Sequence, residues 1–89
     1  MPRLEYSERF ANDLASVTSE RVEKLVMESL DNIELFGEYG SFLLPESIRL
    51  EFGEGVRKVV VGPFDLIYTW CPEKDVARIE ALVSQRAVR

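Results

Sequence analysis

Six cations stand in the last 35 residues of the chain, Arg57, Lys58, Lys74, Arg78, Arg86 and Arg89, and a polyanion would meet them first. Guanidinium and ammonium groups bind phosphate oxygens and stabilise negative charge that develops on them. Residues 55–89 set these six against four carboxylates, a net of +2, whereas residues 1–54 set five Lys and Arg against twelve Asp and Glu, a net of −7. Solvation of strand edges and turns also accounts for such residues. The chain has no histidine, which removes the commonest general base and the commonest zinc ligand and excludes His-based triads and zinc proteases. Its single cysteine, Cys71, excludes an internal disulfide framework and fits a reducing cytoplasm. Cys71 has no cationic neighbour in sequence to activate its thiol.

The cations ride on a stretch that reads as three strands. Val56 to Val61 is β-branched apart from Arg57 and Lys58, Gly62-Pro63 breaks it, and Phe64 to Trp70 forms a second aromatic and aliphatic run. Cys71 to Asp75 is a turn with Pro72 set for its second position, and Val76 to Val83 then alternates through Ala77, Ile79, Ala81 and Val83. Tight turns between the three predict an antiparallel meander. Phe64, Leu66, Tyr68 and Trp70 share one face of the middle strand, and the two large aromatics are expected as core or groove lining rather than a base-stacking platform.

The preceding residues supply the cover. Pro2 to Tyr6 alternates as a short strand, and Ser7 caps a helix whose stripe is Phe10, Leu14 and Val17. Thr18-Ser19 offers a fresh cap, after which Val22, Leu25, Val26, Ser29, Leu30, Ile33 and Phe36 keep the helical period as far as Gly37. So short a joint predicts an antiparallel helical hairpin. Gly37 to Pro45 is turn-like, and Ile48 to Phe52 reads as a short strand or an irregular approach to the sheet. A striped hairpin and a sheet with one apolar face cover each other, so the expected class is α+β, a two-layer βααβββ domain on a mainly antiparallel twisted sheet.

At 89 residues, 46% apolar and 30% charged, the chain is expected to be one domain, residues 1–89, small enough for a partner to matter to its stability. No run approaches the ~18 apolar residues of a membrane span, and the start MPRLEYSERF lacks the apolar region of a secretory signal.

With these residues in place the chain resembles the RelE/ParE superfamily, the toxins of bacterial type II toxin-antitoxin modules. The segment GVRKVVVGPFDLIYTW is similar to the hairpin pattern RxLxVGxYRxIYxV of that superfamily, and EALVSQRAVR resembles its closing xVxHRxxxY. The resemblance spans essentially the whole chain. It implies a concave sheet face on which Arg57, Lys58 and Arg86, with Arg89 beyond them, meet the target. In RNA-cleaving relatives, such cations stabilise the charge developing on phosphorus while a Tyr, His or Lys moves protons.

Three departures stand out. Asp65 occupies the position of the hairpin arginine, Gln85 that of the histidine, and the terminal tyrosine is missing. They favour the ParE-like branch, a non-enzymatic inhibitor that binds DNA gyrase; the alternatives are a RelE-like endoribonuclease acting on ribosomal mRNA, or a non-toxic relative kept as an interaction module. The resemblance further implies a cytoplasmic antitoxin partner, gripped mainly through an apolar groove with the basic half adding electrostatics, and neither cofactor nor metal.

Overall fold

The computed structural model describes residues 1–86. Strand β1 (Arg3–Tyr6) leads through Ser7 into helix α1 (Glu8–Ala15), followed by α2 (Glu20–Phe36), α3 (Glu46–Phe52) and strands β2 (Val56–Val61), β3 (Phe64–Cys71) and β4 (Val76–Ser84). Ser7 and Ser19 cap α1 and α2 by accepting the N–H groups of Phe10 and Val22. The sheet order is β1-β4-β3-β2, with β1 parallel to β4 and the remaining pairs antiparallel, which gives the expected α+β class.

The helical layer buries one face of this sheet. Phe10 of α1 and Val22, Val26, Leu30 and Ile33 of α2 close on Val61, Leu66, Tyr68, Ala77, Ile79 and Leu82. Phe36, read as the end of the apolar stripe, is 64% exposed, because the buried Gly37 beside it takes the inward position against Trp70.

Three findings depart from the sequence reading. Ile48 to Phe52 lies in a helix, not a strand. Pro45 O accepts the N–H groups of Ile48 and Arg49, and Gly53 closes the turn by donating to Arg49 O. Spacings of two and of four both fit Ile48, Leu50 and Phe52; burial decides, since Ile48 is 3% exposed and Leu50 78%.

Second, α3 covers part of the other sheet face. Ile48 is buried there with Val56, Ile67, Ala81 and Val83, flanked by Leu44 and Phe52, so that both faces carry apolar packing.

Third, β4 does not alternate without interruption. Ile67 pairs with Ala81 and Tyr68 with Ile79, which leaves Glu80 as an extra residue. The bulge sends Ala77 and Ile79 to the helical core and Ala81 and Val83 to the opposite one.

Beyond the bulge β1 has ended, and α1 takes over the exposed edge of β4. Ser7 N–H donates to Ile79 O at 3.0 Å, Ser7 Oγ to Glu80 O at 2.6 Å, and the Leu82 N–H to the Asp13 carboxylate at 3.0 Å. A helix cap and one carboxylate thus satisfy the edge groups that a missing strand would have paired.

Tyr68 ties the helical layer to the loop after α2. Its hydroxyl donates to Gly37 O at 2.7 Å and accepts the Gly40 N–H at 2.6 Å, while the ring is fully buried. Burial pushes this phenol above its ordinary pKa of 10.0; the Gly40 bond and the nearby Arg57 charge pull the other way without overcoming it. Because the folded-state value lies above the unfolded one, the contribution of the neutral phenol is complete below about pH 10 and is lost as pH rises through the raised value. Chemical denaturation at increasing alkaline pH should show stability falling in the parent chain and a flatter profile in Tyr68→Phe, despite that variant's lower stability at neutral pH.

Candidate functional site

The pleat of β2 separates the two cations that the sequence places side by side. Arg57 lies opposite Tyr68 and Lys58 opposite Ile67, so their side chains leave the sheet on opposite faces. The Arg57 guanidinium donates to Gly40 O at 2.9 Å and stands 3.8 Å over the Phe42 ring. It thus clasps the loop that Tyr68 also holds, and its Nε is buried without a partner. Its visible role is to anchor that loop.

Lys58 faces the other way and meets Asp65 and Gln85. The two-residue turn Gly62-Pro63 pairs Val60 with Asp65, which puts Lys58 diagonally across from Asp65 on the same face. The Lys58 Nζ lies 3.9 Å from Asp65 Oδ2, and Gln85 Nε2 donates to Asp65 Oδ1 at 3.2 Å. The Asp65 side chain is 5% exposed and that of Lys58 24%. The lysine is therefore half of a neutral, largely buried pair. The Lys58 backbone makes both hydrogen bonds of an isolated bridge to Ser41, each at 2.9 Å, so the outer edge of β2 is covered at this point.

The remaining cations spread out. Arg86 is exposed just past the end of β4, beside the Gln85 that holds Asp65. Arg89 lies outside the described residues. Arg78 pairs with Glu80 at 3.0 Å, Arg3 with Glu5 at 3.4 Å, and Glu80 also accepts from Thr69 Oγ1 at 3.0 Å. Lys58, Asp65 and Gln85 come together, then, with Arg86 next to Gln85 in sequence, and Arg57 does not join them. The resulting face presents a lysine paired with a carboxylate, and Arg86 follows it in the chain as an exposed cation. Tyr68 cannot supply the proton transfer: it points into the helical core with its hydroxyl engaged twice.

The loop clasp of Arg57 and Tyr68 was missed by sequence reasoning, because its acceptors are backbone carbonyls of a turn-like segment. The pairing of Lys58 with Asp65 did leave a signal: a two-residue hairpin turn fixes the register and hence the diagonal. Elsewhere the surface carries an apolar groove of about 260 Å³ between α1 and α2, lined by Tyr6, Phe10, Ala11, Leu14, Met27 and Leu30. Among the described residues no group of three or more His, Cys, Asp or Glu gathers to hold a metal, and no helix is long and apolar enough to cross a membrane.

No family model matches this chain, nor does any curated protein sequence. Solved structures do. A chain of the intact Escherichia coli RelBE toxin-antitoxin complex superposes with a TM-score of 0.71 at 15% identity, covering 94% of this chain and 96% of that one. The isolated E. coli RelE toxin gives 0.72 at 14% identity, over 94% and 84%. A metal-bound toxin from Helicobacter pylori gives 0.72 at 18% identity, over the full length of both chains. At such identities the likeness establishes the fold, which is that of RelE.

Proposed function

We propose that this chain is the toxin component of a toxin-antitoxin pair and that it acts on RNA in the manner of RelE, held in check by a protein partner. The whole-length likeness to isolated RelE and to a chain of the RelBE complex carries this reading. The gyrase-directed reading rested on the departures at Asp65, Gln85 and the terminus; the structural neighbours give it no support, and the RNA-directed alternative replaces it. Lys58 and Arg86 are the cations offered to a phosphate, with Arg57 reassigned to holding the loop.

The partner reading gains from the groove between α1 and α2, where Met27 and Tyr6 are more than half exposed on an otherwise acidic helical half. An amphipathic segment of an antitoxin would bury that apolar lining. One observation favours a second reading. The neutral Lys58–Asp65 pair and the absence of histidine suit a relative that keeps the fold and the partner but cleaves poorly or not at all.

Tightly induced expression of the chain in bacteria, with RNA ends and plasmid supercoiling sampled from the same cells, separates the readings. The expected result is growth arrest with new RNA 5′ ends, abolished by Arg86→Glu. Arrest with intact messages and altered supercoiling would reinstate the gyrase reading. Unimpeded growth with soluble, folded protein would favour the interaction module, or a toxin whose target that host lacks.

A further inference from the structure

We infer that Asp65 governs how tightly this sheet face binds the phosphate backbone of single-stranded RNA, by holding Lys58 in a neutral pair. The inference rests on the RNA-directed reading for its ligand and on the geometry of the pair for its mechanism.

The lysine carries its ammonium on a flexible stem and would ordinarily extend it into water. Here it stays 3.9 Å from a carboxylate that is itself 5% exposed. That carboxylate cannot let go without consequence, because an ionised group left buried and unpaired costs several kcal/mol. A phosphate approaching Lys58 must therefore compete with a charge already in place, in surroundings where partial burial strengthens Coulomb attraction. Gln85 sharpens the arrangement: its Nε2 occupies Oδ1 and leaves Oδ2 to the lysine. Asp65 also lies on an inner strand, opposite Val60 on one side and Val83 on the other, which leaves its side chain only 5% exposed. Asp65 never touches the RNA; it acts through Lys58.

Asp65→Asn removes the charge and keeps the shape, including the bond to Gln85, and it releases the ammonium. The test measures binding of a short fluorescein-labelled single-stranded oligoribonucleotide by anisotropy across a salt series. The parent, Asp65→Asn, the double variant Lys58→Met/Asp65→Asn and a remote charge control, Glu28→Gln, are compared, each shown to be folded by its thermal melt. Asp65→Asn should bind about fivefold more tightly at low salt, with a log–log salt slope steeper by about 0.7, the signature of one more phosphate contact. The double variant, in which no unpaired charge is buried, should return to the parent's affinity or below it.

Equal binding by the parent and Asp65→Asn, or no binding by either, would overturn the inference. So would a gain that survives in the double variant or is matched by Glu28→Gln, since the effect would then come from net charge alone. This outcome is independent of toxicity: a chain that never arrests growth can show the coupling through Lys58, and one that cleaves RNA can lack it.

Discussion

Gly37→Ala is expected to lower the melting temperature by about 15 °C, corresponding to roughly 3 kcal/mol in a domain of this size. Gly37 ends α2 with φ 64° and ψ −61°, and the Glu38 N–H donates across it to Phe36 O at 2.6 Å. This is the rare γ-turn of positive φ, which a side chain strongly disfavours. A Cβ there would also stand 2.6 Å from Cζ2 of Trp70, well inside contact distance. Trp70 cannot move away cheaply, since it is packed against the helical core. Both effects fall at the point where the Tyr68 hydroxyl is received by Gly37 O, so the loop contact is lost with them. A thermal melt followed by circular dichroism measures the change; a variant melting within a few degrees of the parent would mean that the loop is not held as described.

The second large effect separates the two neighbouring cations. Arg57→Met should lower stability by about 2 kcal/mol, through loss of its charged hydrogen bonds to the loop carbonyls and of its contact with the Phe42 ring. Urea denaturation reads this directly. Where the variant remains folded, its RNA binding should be unchanged. The double variant Lys58→Met/Asp65→Asn should show the converse, retaining its stability to within about 1 kcal/mol because a charge pair is exchanged for a neutral one. In the expression experiment its toxicity should not exceed the parent's. If Arg57→Met abolished RNA binding without loss of stability, Arg57 would return to the site.

Much of this fold was legible because the decisive signals were local. Ser7 and Ser19 announce their helices, the stripe from Val22 to Ile33 is periodic, and Gly62-Pro63 forces a tight hairpin. The failures arose where two local patterns were degenerate or where the deciding contact was distant. Ile48, Leu50 and Phe52 suit a strand as well as a helix until the opposite sheet face exists to bury two of them. The bulge at Glu80 leaves only a faint mark, the apolar Leu82 at a position that alternation through Ala77, Ile79, Ala81 and Val83 would leave polar.

The site suffered from the same limit in sharper form. Adjacent cations invite the idea of a patch, yet period-two geometry assigns Arg57 and Lys58 to different faces. Combined with the two-residue turn, that rule would have joined Lys58 to Asp65. The role of Arg57 could not have been found this way, since its partners are carbonyls of a loop whose path only the assembled structure defines.

The placement of β1 has a consequence for how the chain acquires its structure. The meander of β2, β3 and β4 closes through short turns, whereas Ser7 reaches Glu80 across 73 residues of sequence. Closing so long a loop is entropically costly until the segment between its ends has already condensed. The N-terminal strand is therefore expected to dock late, onto a β4 that is already paired with β3, and to be among the first segments to open in the native state. Until it docks, nascent β4 offers a bare edge to any extended chain nearby, including a second copy of its own first strand.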